Sequence, residues 1–85
     1  MSILIVDENE DNTSVAVYPN PANGVVHIEG VVADEVQVYN AFGQVVKTVL
    51  GTNEIDLNGL VEGVYLVRIM DAEGKSYTER LVVKE

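Results

Sequence analysis

The 85-residue chain contains no cysteine and no tryptophan, and it has few basic residues. The absence of cysteine excludes disulfides, thiolate nucleophiles and cysteine metal ligands, so the stability of the fold must come from packing. Five basic residues stand against fourteen acidic ones, which gives a net charge of −9. Binding to a phosphate backbone or to an anionic membrane surface requires clustered Lys and Arg, so this balance argues against both partners.

Long apolar runs are missing as well. No uninterrupted apolar run exceeds four residues, so no segment is expected to insert into a membrane. Residues 1–10 lack the positive n-region and the apolar h-region of a secretory signal peptide. If the domain is exported, we expect the signal to lie elsewhere on a larger parent chain.

Patterns that would carry catalysis or bind a metal are absent from the sequence. His27 is the only histidine, and no nucleophile elbow or glycine-rich phosphate loop is present. The acidic run Asp7–Asp11 has the ligand types of a calcium loop. Such a loop also requires a glycine at position 12 and a glutamate at position 18, where this chain has Asn12 and Tyr18. The sequence therefore predicts no catalytic residues, no metal site and no cofactor.

Alternation of apolar and polar residues recurs along the chain and predicts strands throughout. Val26 and Ile28 share one face, with His27 and Glu29 on the other. A spacing of about ten residues between strands is typical of sandwiches, so we predict an all-β, immunoglobulin-like β-sandwich of about seven to eight antiparallel strands. The candidate strands are 3–6, 14–18, 25–29, 35–40, 44–50, 53–57, 63–70 and 76–83. Strand 44–50 does not reveal which face it buries, because Val45 and Val46 point to opposite sides.

Turn residues separate the candidate strands. Asn23-Gly24 is typical of a tight hairpin turn. The segments Asn40–Gly43 and Asp71–Gly74 each end in a glycine that can close a type I turn in a left-handed conformation. Pro19–Pro21 contains two residues without an N–H group, so this segment should leave the sheet ladder.

One aromatic residue has the position of a known sandwich feature. Tyr65 opens the most apolar strand, and Gly63 precedes it at the expected crossover. In immunoglobulin-like sandwiches a tyrosine at this place donates its hydroxyl to upstream backbone, the tyrosine corner. We expect Tyr65 to do the same and Gly63 to supply an unusual backbone dihedral.

Charge is unevenly distributed along the chain. Residues 1–67 contain ten acidic residues and one basic residue, whereas residues 68–85 contain four of each sign. The basic groups of the last two strands are Arg68, Lys75, Arg80 and Lys84. The simpler interpretation is that they pair with acidic residues on neighbouring strands; the alternative is that they form a cationic surface for a partner.

Five motifs follow one another along the chain: Val17–Gly24, Val38–Asn40 with Gly43–Val46, Ile55–Leu57, Gly63–Ile69, and Arg80–Lys84. In this order they resemble the type A C-terminal sorting domain of the type IX secretion system. The similarity covers residues 14–85. Residues 1–13 match nothing in the family and are interpreted as an acidic linker or an edge strand.

The resemblance implies a non-enzymatic sorting signal that is covalently part of a larger exported cargo. It implies recognition of the folded domain in the periplasm by a shuttle protein and passage through an outer-membrane translocon. A sortase would then remove the domain and leave the cargo at the outer-membrane surface or outside the cell.

The resemblance also assigns residues. The sorting-motif positions are Pro19, Asn20, Pro21, Gly24, Gly43, Gly63 and Tyr65. The partner-recognition positions lie in the last strand, at Arg80, Leu81, Val83 and Lys84, a mixture that we expect to add to the edge of a partner's sheet. For the prolines and glycines, a purely conformational role is the alternative.

Two other functions compete with a sorting signal. A carbohydrate- or protein-binding module of a surface adhesin would need an aromatic platform, and Tyr18, Tyr39 and Phe42 are the aromatics available for it. An inert spacer in a repeat array is the third possibility, although the sequence has no internal repeat.

Overall fold

The computed structural model describes residues 15–84, and these form two antiparallel sheets that share one core. Three strands form one sheet in the order β1-β2-β5, and four form the other in the order β4-β3-β6-β7. This confirms the predicted immunoglobulin-like sandwich. The candidate strand 3–6 and the segment 1–13 lie outside the described residues. The strands are β1 Ala16–Tyr18, β2 Val25–Glu29, β3 Ala33–Tyr39, β4 Val45–Leu50, β5 Glu54–Asp56, β6 Gly63–Asp71 and β7 Ser76–Val83.

The core consists of alternate residues from both sheets. Val26 and Ile28 of β2 face inward while His27 and Glu29 do not, as the alternation predicted. β6 contributes three buried residues at every second position. The largest fully buried side chains are Val26, Val36, Val38, Ile55, Val67, Ile69 and Leu81. Packing of these branched side chains is the main stabilising contribution in a chain without disulfides.

β4 buries neither face fully, which resolves the ambiguity of strand 44–50. Val45 and Val46 are 47% and 40% exposed. Tyr39 of β3 pairs with Val45 after a shift in register next to Val38, which pairs with Lys47. Among the described strands β4 is an edge of the four-stranded sheet, and its Val49 packs, partly buried, against the core.

The β3–β4 turn ends in a left-handed Gly43, as predicted, and the Asn40 side chain adds hydrogen bonds that were not predicted. The N–H of Gly43 donates to the Asn40 carbonyl at 3.0 Å, and the Asn40 Oδ1 atom accepts from the N–H groups of Phe42 and Gln44. Gly43 has φ 81°, a left-handed conformation that favours glycine.

The β6–β7 turn uses the same device, with Asp71 in place of asparagine. Asp71 Oδ1 accepts from the N–H groups of Glu73 and Lys75, and its Oδ2 accepts from the Tyr77 hydroxyl at 3.1 Å. Partial desolvation is the largest single effect on this carboxyl and opposes ionisation. The hydrogen bonds together outweigh it and lower the pKa of Asp71 below its usual value.

The connection between β1 and β2 differs from the predicted tight hairpin at Asn23-Gly24. β1 ends at Tyr18 and β2 begins at Val25, so the connection has six residues, 19–24. It contains cis peptide bonds at Tyr18–Pro19 and Asn20–Pro21. Gly24 has φ 96°, so its left-handed conformation serves a longer loop than the sequence indicated.

Asn53 fastens the β2–β3 connection. Its Nδ2 atom donates to the carbonyls of Ile28 and Val31 at 2.9 and 2.7 Å, and its Oδ1 atom accepts from the N–H of Ala33 at 2.9 Å. This one side chain therefore satisfies three backbone groups at the place where the chain passes from one sheet to the other.

The tyrosine corner is present. The Tyr65 hydroxyl donates to the Val61 carbonyl at 2.6 Å, and the side chain is only 5% exposed. Gly63 has φ 159°, a positive value that residues other than glycine rarely adopt, as expected. A Cβ there would meet Tyr65 at an ordinary contact distance of 3.9 Å, so the dihedral and not a lack of space favours glycine.

Candidate functional site

Two sequence motifs that are about 60 residues apart meet at the outer edge of β7. The Nδ2 atom of Asn20 donates to the Arg80 carbonyl at 2.9 Å, and its Oδ1 atom accepts from the N–H of Val82 at 3.0 Å. Two residues later, the N–H of Ala22 donates to the Val82 carbonyl at 2.7 Å, and the Ala22 carbonyl accepts from the N–H of Lys84 at 2.8 Å. We call this set of four hydrogen bonds the edge clamp.

The edge clamp follows the pattern of a parallel strand. Ala22 forms a parallel bridge to Val83, in which one residue bonds the positions before and after its partner. The Asn20 amide bonds the positions before and after Leu81 in the same way. A side-chain amide thus replaces a backbone peptide group next to Pro21, which has no N–H group to contribute.

The edge clamp limits how β7 can pair with another chain. Four outward backbone groups that a new strand would use are already bonded to Asn20 and Ala22: the carbonyls of Arg80 and Val82 and the N–H groups of Val82 and Lys84. Within residues 15–84, no hydrogen bond of this kind reaches the outward groups of Ser76 and Thr78. The expected addition of the last strand to a partner's sheet is therefore blocked along its second half.

Leu81 and Val83, two of the predicted partner-recognition residues, lie in the core. They are 0% and 3% exposed, so their side chains pack between the sheets and are not available on the surface of the folded domain. Arg80 and Lys84 are exposed, as expected for strand positions on the opposite face. The half-buried Val82 lies between them on that outward face.

Exposed apolar residues of β6 extend this outward face. Val64 pairs with Val82, and Leu66 pairs with Arg80. Val64 and Leu66 are 45% and 47% exposed although they lie on a central strand. We call the five residues Arg80, Val82, Lys84, Val64 and Leu66 the β6–β7 surface. Its three apolar members, Val64, Leu66 and Val82, were not predicted from the sequence. Their alternation with the buried Tyr65 and Leu81 could have indicated that they lie on the opposite face.

No Lys or Arg side chain of residues 15–84 forms an ion pair within 4.0 Å with an acidic residue of the same range. The contact between basic and acidic side chains that lies within this distance is His27 Nδ1 to Glu54 Oε2 at 3.6 Å. The interpretation of Arg68, Lys75, Arg80 and Lys84 as cross-strand pairs is therefore wrong for this part of the chain. Arg80 and Lys84 keep their charges available on an otherwise acidic molecule.

The remaining motif positions lie around the edge clamp and the end of the sandwich near it. Pro19 and Pro21 are exposed and flank Asn20. The Gly24 carbonyl accepts from the N–H of Leu57 at 2.7 Å, which joins the motif loop to the chain after β5. Gly43 is in the β3–β4 turn, apart from the edge clamp.

The aromatic residues do not form one platform. Tyr18 lies on the outer face of the three-stranded sheet, where its ring is 5.6 Å from that of His27 and its hydroxyl donates to Glu29 at 3.0 Å. This hydrogen bond, with desolvation and the carboxylate charge, raises the pKa of Tyr18. Tyr39 belongs to the other sheet, and Phe42 protrudes from a turn with 87% exposure.

An open groove lies between the β3–β4 turn and the segment before β6. Its apolar lining includes Phe42, Val46, Val61 and Val64.

Among residues 15–84, no group of three His, Asp or Glu side chains is placed to hold a metal ion. The same residues contain no helix that is long and apolar enough to cross a membrane.

Comparison with known proteins shows the family. The fold and the β7 edge define a small sandwich domain that presents one cationic and apolar face. Residues 16–84 match the family model described as "Secretion system C-terminal sorting domain". The chain is also 31% identical over 80 residues to Beta-agarase D from Zobellia galactanivorans, a match that covers 92% of this chain and 17% of the agarase. The chain belongs to the family of secretion system C-terminal sorting domains.

Membership of this family establishes the general function. The domain is a sorting signal of type IX secretion and forms part of a larger secreted protein that is directed to the cell surface or the extracellular space. A sorting-signal domain is not itself catalytic. The chain spans only 17% of the length of the agarase.

Proposed function

We propose that the type IX machinery recognises the folded domain through the β6–β7 surface. The observation that supports this most directly is the exposure of Arg80 and Lys84, which form no ion pair within 4.0 Å with an acidic residue of the described range 15–84, beside Val64 and Leu66 on the same sheet face. Exposed apolar residues on a sheet face that nothing in the described chain covers are typical of interaction sites.

The chemistry of the β6–β7 surface specifies the chemistry of its partner. Three apolar side chains lie between two cations, so a complementary surface would have an apolar centre with carboxylates at its rim. The charges would steer the encounter and set the orientation, while burial of Val64, Leu66 and Val82 would supply most of the affinity. The remaining acidic surface of the domain would repel such a partner everywhere else.

The proposed partners are the shuttle protein, the outer-membrane translocon and the sortase of type IX secretion. In this scheme the domain folds in the periplasm, binds through the β6–β7 surface, and accompanies its cargo across the outer membrane before the sortase acts. A sandwich without cysteine can fold in that compartment without an oxidation step. The agarase relative supports an exported enzyme as one class of cargo.

A passenger fusion tests this proposal. A reporter that carries an inner-membrane signal peptide is joined to the N-terminus of the domain and expressed in a host that has the type IX machinery. We expect the unmodified fusion to reach the cell surface or the medium. Arg80→Glu/Lys84→Glu should leave the reporter in the periplasm while the melting temperature of the purified domain stays within about 3 °C, because both side chains are exposed.

The matched control is Lys47→Glu/Lys75→Glu, which changes the net charge by the same amount at sites outside the β6–β7 surface. It should be exported normally. Equal loss of export in both double variants would show that only overall charge matters and would contradict the proposed surface. Periplasmic retention of the unmodified fusion would contradict the proposed route of this domain.

A further inference from the structure

We propose that Asn20 is a positioning residue which joins the Pro19–Pro21 segment to β7 and thereby holds the β6–β7 surface in the form that a partner binds. The inference deepens the proposed function and rests on it. It assigns a role in recognition to a residue that makes no contact with the partner through its own amide, because both polar atoms of that amide are already bonded to β7.

The position of the edge clamp supports this role. Residues 80–84 carry three of the five side chains of the β6–β7 surface, at Arg80, Val82 and Lys84. β6 supports this stretch on one side, and β7 is the last of the described strands in its sheet. Strand ends at a sheet edge open locally at low free-energy cost. The hydrogen bonds to Asn20 and Ala22 support the other side, so residues 80–84 are bonded on both sides.

Exposure of Asn20 separates this role from general stabilisation. Its amide is in contact with solvent, and hydrogen bonds at exposed sites contribute little to global stability because water replaces them readily. Loss of the amide should therefore loosen residues 80–84 and leave the core packing of Val26, Ile28 and their neighbours unchanged. A local effect without a global one is the signature of a positioning residue.

The edge clamp also selects the mode of recognition. Since Asn20 and Ala22 already bond four outward backbone groups between the Arg80 carbonyl and the Lys84 N–H, a partner at this stretch contacts side chains and does not extend the sheet. The partner that fits is a preformed apolar surface with acidic groups at its rim. A partner that entered as an added strand would have to displace Asn20 first, and removal of the amide would then improve binding.

Two substitutions at Asn20 test the inference on the purified domain and on the passenger fusion. Asn20→Ala removes both hydrogen bonds. Asn20→Asp keeps an acceptor for the N–H of Val82 but sets a carboxylate against the Arg80 carbonyl. We expect amide hydrogen exchange at Val82 and Lys84 to accelerate by about tenfold or more in the alanine variant, with a smaller change at Val82 in the aspartate variant. Export should fall in the same order.

Two control variants separate positioning from stability. Asn58→Ala removes an exposed asparagine that lies in another turn, and it should alter neither exchange at Val82 nor export. Ile28→Val removes one methyl group from the core, so it should lower the melting temperature at least as much as Asn20→Ala does. Normal export of Ile28→Val beside reduced export of Asn20→Ala supports the positioning role.

The results that overturn the inference are distinct from those that overturn the proposed function. Normal export of Asn20→Ala despite rapid exchange at Val82 would show that the edge clamp is not needed for recognition, and so would improved export. Unchanged exchange at Val82 would show that the amide does not hold the strand. In each case an exported unmodified fusion leaves the sorting function standing, whereas failure of that fusion removes the function itself.

Discussion

Replacement of Asn53 by alanine is expected to be among the most damaging single changes outside the core. It removes a side chain that bonds three backbone groups, the carbonyls of Ile28 and Val31 and the N–H of Ala33. Ala33 is only 3% exposed, so its N–H has little access to water as a substitute partner.

The magnitude follows from these three contacts. An intramolecular hydrogen bond contributes about 1 kcal/mol net, and a buried group left without a partner costs more. Three bonds therefore amount to about 3 kcal/mol, which water lowers to about 2 kcal/mol where the site is half-exposed. For a chain of this length the urea m-value is about 1 kcal/mol/M, so the unfolding midpoint should fall by about 2–3 M.

Urea unfolding followed by circular dichroism measures this shift directly. The m-value should stay constant, because the surface exposed on unfolding is unchanged. Asn58→Ala is the control, an exposed asparagine whose midpoint should move by less than about 0.5 M. A midpoint shift that small for Asn53→Ala would refute the reasoning, since it would mean that the three bonds are replaced by water without cost.

Two further substitutions test the local devices of the fold. Tyr65→Phe removes the hydroxyl that bonds the Val61 carbonyl and should cost about 1 kcal/mol in the same urea assay; an unchanged midpoint would deny the tyrosine corner an energetic role. Asp71 has a lowered pKa in the folded state, so its ionised form stabilises the fold at neutral pH, and that contribution is lost as the pH falls through the folded pKa. Asp71→Asn keeps an Oδ1 acceptor, as Asn40 does. We expect the difference in melting temperature between the unmodified domain and this variant to shrink or reverse between about pH 5 and pH 2. A difference that stays constant over this range would contradict the stabilising role of the ionised Asp71.

Features with short-range causes were predictable from the sequence. The Tyr65 hydroxyl bonds a residue four positions away, and the turns at Asn40 and Asp71 close within four residues. In each of these motifs the bonded groups lie within four residues of each other, so residue type and spacing were enough to predict the local structure. The alternation of β2, β3 and β6 predicted the core for the same reason.

Features with long-range causes were not predictable. Asn53 bonds residues 20 to 25 positions away, and Asn20 bonds residues 60 and 62 positions away. Nothing near either asparagine in the sequence indicates which residues it bonds, because its partners are backbone groups of no particular residue type.

The error at Leu81 and Val83 has a different origin. The two residues alternate with Arg80, Val82 and Lys84, so the sequence itself places them on the face opposite to the charges. Combining all of them into one recognition site treated neighbours in sequence as neighbours in space. On a strand, residues two apart share a face, and Val82 was the apolar residue that belonged with the two cations.

The edge clamp makes formation of the β6–β7 surface depend on the order in which the chain becomes available. Asn20 cannot form its hydrogen bonds until residues 80–84 are present. Contacts between residues so far apart in the sequence also require closure of the long intervening loop, which slows their formation. A chain that stops before Lys84, through premature termination or proteolysis, lacks part of the clamp and part of the face that it holds. Only chains that contain the whole of β7 and Lys84 would therefore present the complete β6–β7 surface, so binding at this surface would exclude truncated copies.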